Sequence, residues 1–132
     1  MVDRERTFTY NGGWKNIKQQ DILAFVFRFS GAQINEMVRK ADKVISELIK
    51  KNGKLPIKEF MEIAEYDFSH PQQKYMCNQK LIIPLYNAGL IEKEYEPTGM
   101  EVTHIKLDNS FDKLTENLKI KWDHLAYMLK KV

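Results

Sequence analysis

Three kinds of side chain in this 132-residue sequence have types or spacings that can do chemistry. They are the single thiol Cys77, the imidazoles His70, His104 and His124, and the carboxylate row Glu59, Glu62 and Glu65. Zinc needs cysteines and histidines in closely spaced pairs, and that spacing does not occur here, so no metal site is expected. Cys77 shares a helix side with Leu81, which reads as a buried, inert thiol rather than a redox sensor. Carboxylates at i, i+3 and i+6 can hold a cation, but on a helix such a row is ordinarily a solvated face. His70 before Pro71 reads as a turn or capping residue, and His104 and His124 have no cysteine or carboxylate partner identifiable from spacing. Nucleophile elbows, phosphate-binding loops and His-Glu-x-x-His are absent, so neither an enzyme nor a cofactor is expected.

Composition sets the frame for these residues. With 43% apolar and 30% charged residues, the chain is too apolar for a disordered tail and has the length of one folded domain. The 21 Lys and Arg against 18 Asp and Glu leave a net charge of +3, which permits nucleic-acid contact without demanding it. The longest apolar runs, Ile22 to Phe27 and Leu81 to Tyr86, fall far short of the roughly 20 residues of a membrane helix. With no N-terminal signal pattern, a cytoplasmic protein without membrane contact is expected. One cysteine cannot form an internal disulfide.

The elements follow from periodicity and punctuation. Thr7 to Tyr10 alternates like a strand, and Asn11-Gly12-Gly13 is a turn signal. From Ile22 to Phe29 the pattern fits a helix through Ile22, Phe25, Val26 and Phe29 or a strand through the odd positions, and helix is preferred. The aromatics from Trp14 to Phe29 need an apolar partner, either the core or another subunit. Ser30-x-x-Gln33 is a capping box opening a helix in which Ile34, Met37, Val38, Ala41, Val44, Ile45, Leu48 and Ile49 recur at helical spacing, and Asn52-Gly53 stops it. Lys54-Leu55-Pro56 is an extended connector, and a second helix of this core runs from Ile57 to Tyr66. After the turn at 67–70, Pro71 opens a third helix reaching about Asn87, kinked near Lys80 by Pro84 and stopped at Gly89. Residues 90–96 and 100–107 form a hairpin around Pro97-Thr98-Gly99. Asp108-Asn109-Ser110 then caps a last helix.

The stretch Asn78-Gln79-Lys80-Leu81-Ile82-Ile83-Pro84-Leu85-Tyr86-Asn87-Ala88-Gly89-Leu90-Ile91-Glu92 resembles the end of a winged-helix recognition helix running into the wing strand, in the form found in prokaryotic members of that superfamily. The layout of helix, connector, helix, turn, helix and hairpin agrees with it over residues 33–107. The resemblance implies a mainly α chain with a small β-hairpin (α+β): a winged helix-turn-helix core flanked by an N-terminal segment and a long C-terminal helix. It implies double-stranded DNA as partner, with the third helix in the major groove. The contacting residues would be Gln72, Gln73, Lys74, Tyr75, Gln79 and Lys80, with Thr98, His104 and Lys106 from the wing. Glutamine can pair with adenine and lysine can reach guanine or phosphate. Lys40, Lys43, Lys50, Lys51 and Lys54 would be non-specific phosphate contacts.

The flanks complete the expectation. Residues 1–32 pack on the core or on a dimer partner, and residues 108–132 supply a dimerisation helix in which Phe111, Leu114, Leu118, Trp122, Leu125 and Leu129 form one apolar seam. The expected function is sequence-specific DNA binding by a small homodimeric transcriptional regulator. One feature opposes it: residues 89–109 hold two cations and five carboxylates, which repel phosphate. The alternative is therefore a winged-helix protein-interaction module in a larger assembly that does not bind DNA. An effector cavity between the flanking helices stays open as a further reading.

Overall fold

The computed structural model describes residues 16–28, 33–108 and 112–130. The chain is mainly helical with a small three-stranded antiparallel sheet, an α+β arrangement. The expected strand at 7–10, the turn at 11–13 and the caps at Ser30 and Asn109-Ser110 lie outside the described residues.

Helix α1 (Gln19–Arg28) opens where the Asp21 carboxylate accepts the Lys18 N–H at 2.9 Å. It buries Leu23, Val26 and Phe27. The stripe expected from sequence is thus rotated, because Ile22 and Phe25 are partly exposed. What sets the rotation is remote: the Gln19 amide donates to Asp42 Oδ1 (2.7 Å) and Ser46 Oγ (3.2 Å) on the next helix.

Helix α2 (Ile34–Lys50) starts after Gln33, whose side chain makes no capping bond, and turns Met37, Ala41, Val44, Ile45 and Leu48 into the core. Ile34 and Ile49, at the ends of the expected stripe, are exposed. The stop is as the sequence implies: Asn52 (φ 61°) and Gly53 (φ 85°) are left-handed, and Gly53 N–H donates to Leu48 C=O at 2.6 Å. Gly53 C=O then accepts the Leu107 N–H (2.7 Å), tying the helix end to the sheet.

The segment expected as a connector is strand β1 (Lys54–Pro56). It pairs with β3 (Val102–Leu107), which also pairs with β2 (Ile91–Tyr95), giving the order β1-β3-β2. Leu55 opposes Ile105, and both are buried. Helix α3 (Ile57–Ile63) buries Phe60 and Met61 and is shorter than the sequence suggests. It ends because Glu65 takes a left-handed φ of 68° and Tyr66 N–H donates back to Met61 C=O (2.8 Å). Glu65 therefore leaves the row expected with Glu59 and Glu62.

Pro71 occupies the first turn of α4 (Pro71–Cys77). The helix continues through a π-helical turn (Asn78–Ile82) into α5 (Ile83–Asn87). A kink is expected near Lys80, and what stands there is this π-helical turn. Pro84 has no N–H to give to Lys80 C=O, and the turn widens so that Ile83 N–H donates to Asn78 C=O, five residues back. Cys77, Leu81, Ile82 and Leu85 carry this helix into the core with Phe27, Leu48, Phe60 and Ile91. Gly89 (φ 80°) ends it, and Leu90 N–H donates to Leu85 C=O at 3.0 Å.

Helix α6 (Asp112–Lys130) differs from the rest. From Thr115 to Lys130 every residue is exposed except the half-buried Ala126.

Candidate nucleic-acid interface

The continuous helix from Pro71 to Asn87 carries two lysines and no carboxylate. Its polar residues fall on three sides. Gln72, Tyr75 and Gln79 are exposed and, at spacings of three and four, form one outward row. Tyr75 is 65% exposed, a large ring held out in solvent. Lys74 leans toward the β2–β3 hairpin, with its ammonium 4.3 Å from the centre of the Phe68 ring. Lys80 lies on the opposite side beside Met76, where the helix faces the start of α2. Gln73 is half-buried.

The turn before α4 is built locally. Asp67 accepts the Ser69 N–H (2.9 Å) and hydroxyl (2.6 Å), and these bonds hold its carboxyl below the ordinary range. Pro71 has no amide hydrogen, and the Lys74 N–H is taken by His70 C=O at 3.0 Å.

The hairpin divides its charges between two faces, because directly paired residues project to the same side of a sheet. Lys93 opposes the buried Ile105 and faces the α4–α5 helix. Its ammonium stands 4.8 Å over the Tyr86 ring. Glu94 opposes His104 on the outer face, where it gathers Lys54 at 3.0 Å, His104 Nδ1 at 3.6 Å and Lys106 at 3.7 Å. Lys54 above all lowers the Glu94 pKa from its ordinary value. Among the expected wing contacts, His104 and Lys106 therefore lie on the sheet face turned away from the α4–α5 helix. Thr98 is exposed at the hairpin tip, where its hydroxyl donates to Glu96. Lys93 is the hairpin lysine that shares a side with Lys74. It was legible from parity alone, since it is two residues from the buried Ile91.

The lysines expected as phosphate contacts are largely engaged elsewhere. Lys43 (2.6 Å) and Arg39 (2.7 Å) both bind Glu65, and their hydrogen bonds push its pKa down to about 2. Lys40 is buried, 3.6 Å from Glu36 and 3.9 Å from the centre of the Tyr66 ring. Burial raises Tyr66 to about 12. Lys50 pairs with Glu47, and Lys54 is held by Glu94.

Cys77 is fully buried, and desolvation pushes its thiol up to about 12. Among the described residues no group of three or more His, Cys, Asp and Glu side chains is placed to hold a metal ion. No described helix is long and apolar enough to cross a membrane. In the proposed dimer seam, Leu118, Trp122, Leu125 and Leu129 are exposed, while Phe111 and the side chain of Leu114 lie outside the described residues. No protein-family model, curated protein or solved structure matches the chain.

Proposed function

We propose that the chain is a winged helix-turn-helix protein that binds double-stranded DNA as a homodimer and acts as a transcriptional regulator, with the α4–α5 helix in the major groove. The observation that carries the reading is the outward row Gln72, Tyr75 and Gln79, flanked by Lys74 and Lys80 on a helix free of carboxylates. Glutamine amides offer paired donor and acceptor atoms to adenine, and the lysines reach phosphate or guanine. Two further features support the fold assignment. The α2-β1-α3-α4 succession leads into a hairpin, and the sheet order is β1-β3-β2.

The acidic hairpin weighs less against DNA than its sequence suggests. Glu94 is neutralised by Lys54 and Lys106 on the outer sheet face, while Lys93 stands on the side of the helix. In the dimer, two α4–α5 helices would enter successive major-groove faces about 34 Å apart, on a palindromic site. The exposed apolar residues of α6 supply the pairing surface.

The test is the variant Lys74→Ala with Lys80→Ala. Both side chains are exposed, so the expected result is weaker duplex binding with an unchanged urea midpoint. Unchanged binding would put the interface elsewhere. The second reading, a protein-interaction module, rests on Glu92, Glu96 and Glu101, which are in no salt bridge among the described residues. Retained partner binding with no DNA affinity at low salt would favour it.

A further inference from the structure

Between the α4–α5 helix and the β2–β3 hairpin lies a cleft of about 250 Å³. Its floor is core: Met61, Ile82 and Ile105 are buried, and Phe68 packs against them. Lys74 and Lys93 stand on its two rims, one from the helix and one from the hairpin. Each ammonium lies against an aromatic ring, Phe68 and Tyr86 respectively, and neither has a carboxylate within salt-bridge distance among the described residues. Glu101 is the single acidic residue of the lining, and Asn78 adds an amide. Two cations and one carboxylate leave the cleft one positive charge over an apolar floor.

We propose that this cleft binds a small organic monoanion, an apolar ring body carrying one carboxylate. The ring lies on Met61, Ile82 and Ile105, and the carboxylate sits between Lys74 and Lys93, where charge-assisted hydrogen bonds are strongest. Ligand pockets ordinarily span about 300–1,000 Å³, so this one selects one or two fused rings. Because Lys74 is also on the proposed DNA-contacting helix, the ligand and the duplex compete for it. That consequence rests on the DNA-binding reading, whereas the site itself does not.

The probe is 2-naphthoate, titrated into the full chain without DNA and followed by amide chemical shifts. Saturable shifts at Phe68, Lys74, Asn78 and Val102 are expected. The neutral isostere 2-naphthamide should bind about tenfold more weakly, the size of one charge-assisted contact. Lys74→Gln with Lys93→Gln should bring naphthoate down to the level of the amide, and Asn78→Trp, which fills the cleft, should abolish binding of both. Non-saturating or scattered shifts would overturn the site, and equal affinity for naphthoate and naphthamide would overturn its anion selectivity. Naphthoate binding without duplex binding would remove the regulator reading and keep the cleft. Duplex binding without saturable naphthoate shifts would remove the cleft alone.

Discussion

Truncating Trp122 to alanine should dissociate the proposed homodimer while leaving the protomer folded. Trp122 is 67% exposed on α6, among exposed Leu118, Leu125 and Leu129. A tryptophan offers about 250 Å², so roughly 170 Å² of this ring is in contact with water in the protomer. If pairing covers half of that area, each protomer buries about 80 Å² through this residue, worth about 2 kcal/mol at ~25 cal/mol/Å². Two-fold symmetry counts the residue twice, so the loss is about 4 kcal/mol, or close to a thousandfold in the dimer dissociation constant. Sedimentation equilibrium over a concentration series reads this directly, with urea unfolding of the dissociated protein as the control. The fold should survive, because the core of Phe27, Leu48, Phe60, Leu85 and Ile105 contains no described α6 residue. A wild-type chain that sediments as a monomer at all concentrations would refute the argument. So would a Trp122→Ala dimer as tight as the wild type.

Two predictions concern protonation and access. Glu65 has a folded pKa of about 2 against an ordinary 4.5, so its contribution to stability is complete above about 4.5 and is lost as the pH falls toward 2. The difference in unfolding free energy between wild type and Glu65→Gln should therefore widen from pH 2 to pH 5 and then level off; a pH-independent difference would contradict the Arg39–Glu65–Lys43 pairing. Cys77 should resist a thiol reagent in the native state and react at once in denaturant, because its thiol is buried and raised to about 12. Rapid labelling of the native protein would refute that burial.

What could be read from sequence was what local chemistry punctuates. Asn52-Gly53, Pro71 and Gly89 mark real ends because backbone conformation is decided within a few residues there. Distant residues decide the rest. The left-handed Glu65 that ends α3 is held by Arg39 and Lys43, more than twenty positions earlier. Strand β1 exists only because β3, some fifty residues later, pairs with it. The rotation of α1 depends on Gln19 meeting Asp42 and Ser46. The candidate interface was legible on the α4–α5 helix, where Gln72, Tyr75 and Gln79 are outward as their spacing implies. In the hairpin the expected residues were the wrong ones: alternation from the apolar Ile91 and Ile105 puts Lys93 on the helix side and His104 and Lys106 on the other.

The most direct test of the central claim is fluorescence anisotropy of a random-sequence duplex across a salt series. With Lys74, Lys80 and Lys93 as phosphate contacts, each protomer should contribute a slope of about −2.7 in log K against log salt, at about −0.9 per contact. The Lys74→Ala, Lys80→Ala variant should keep about a third of that slope. Absence of binding at low salt, or a slope unaffected by removing both lysines, would contradict the account.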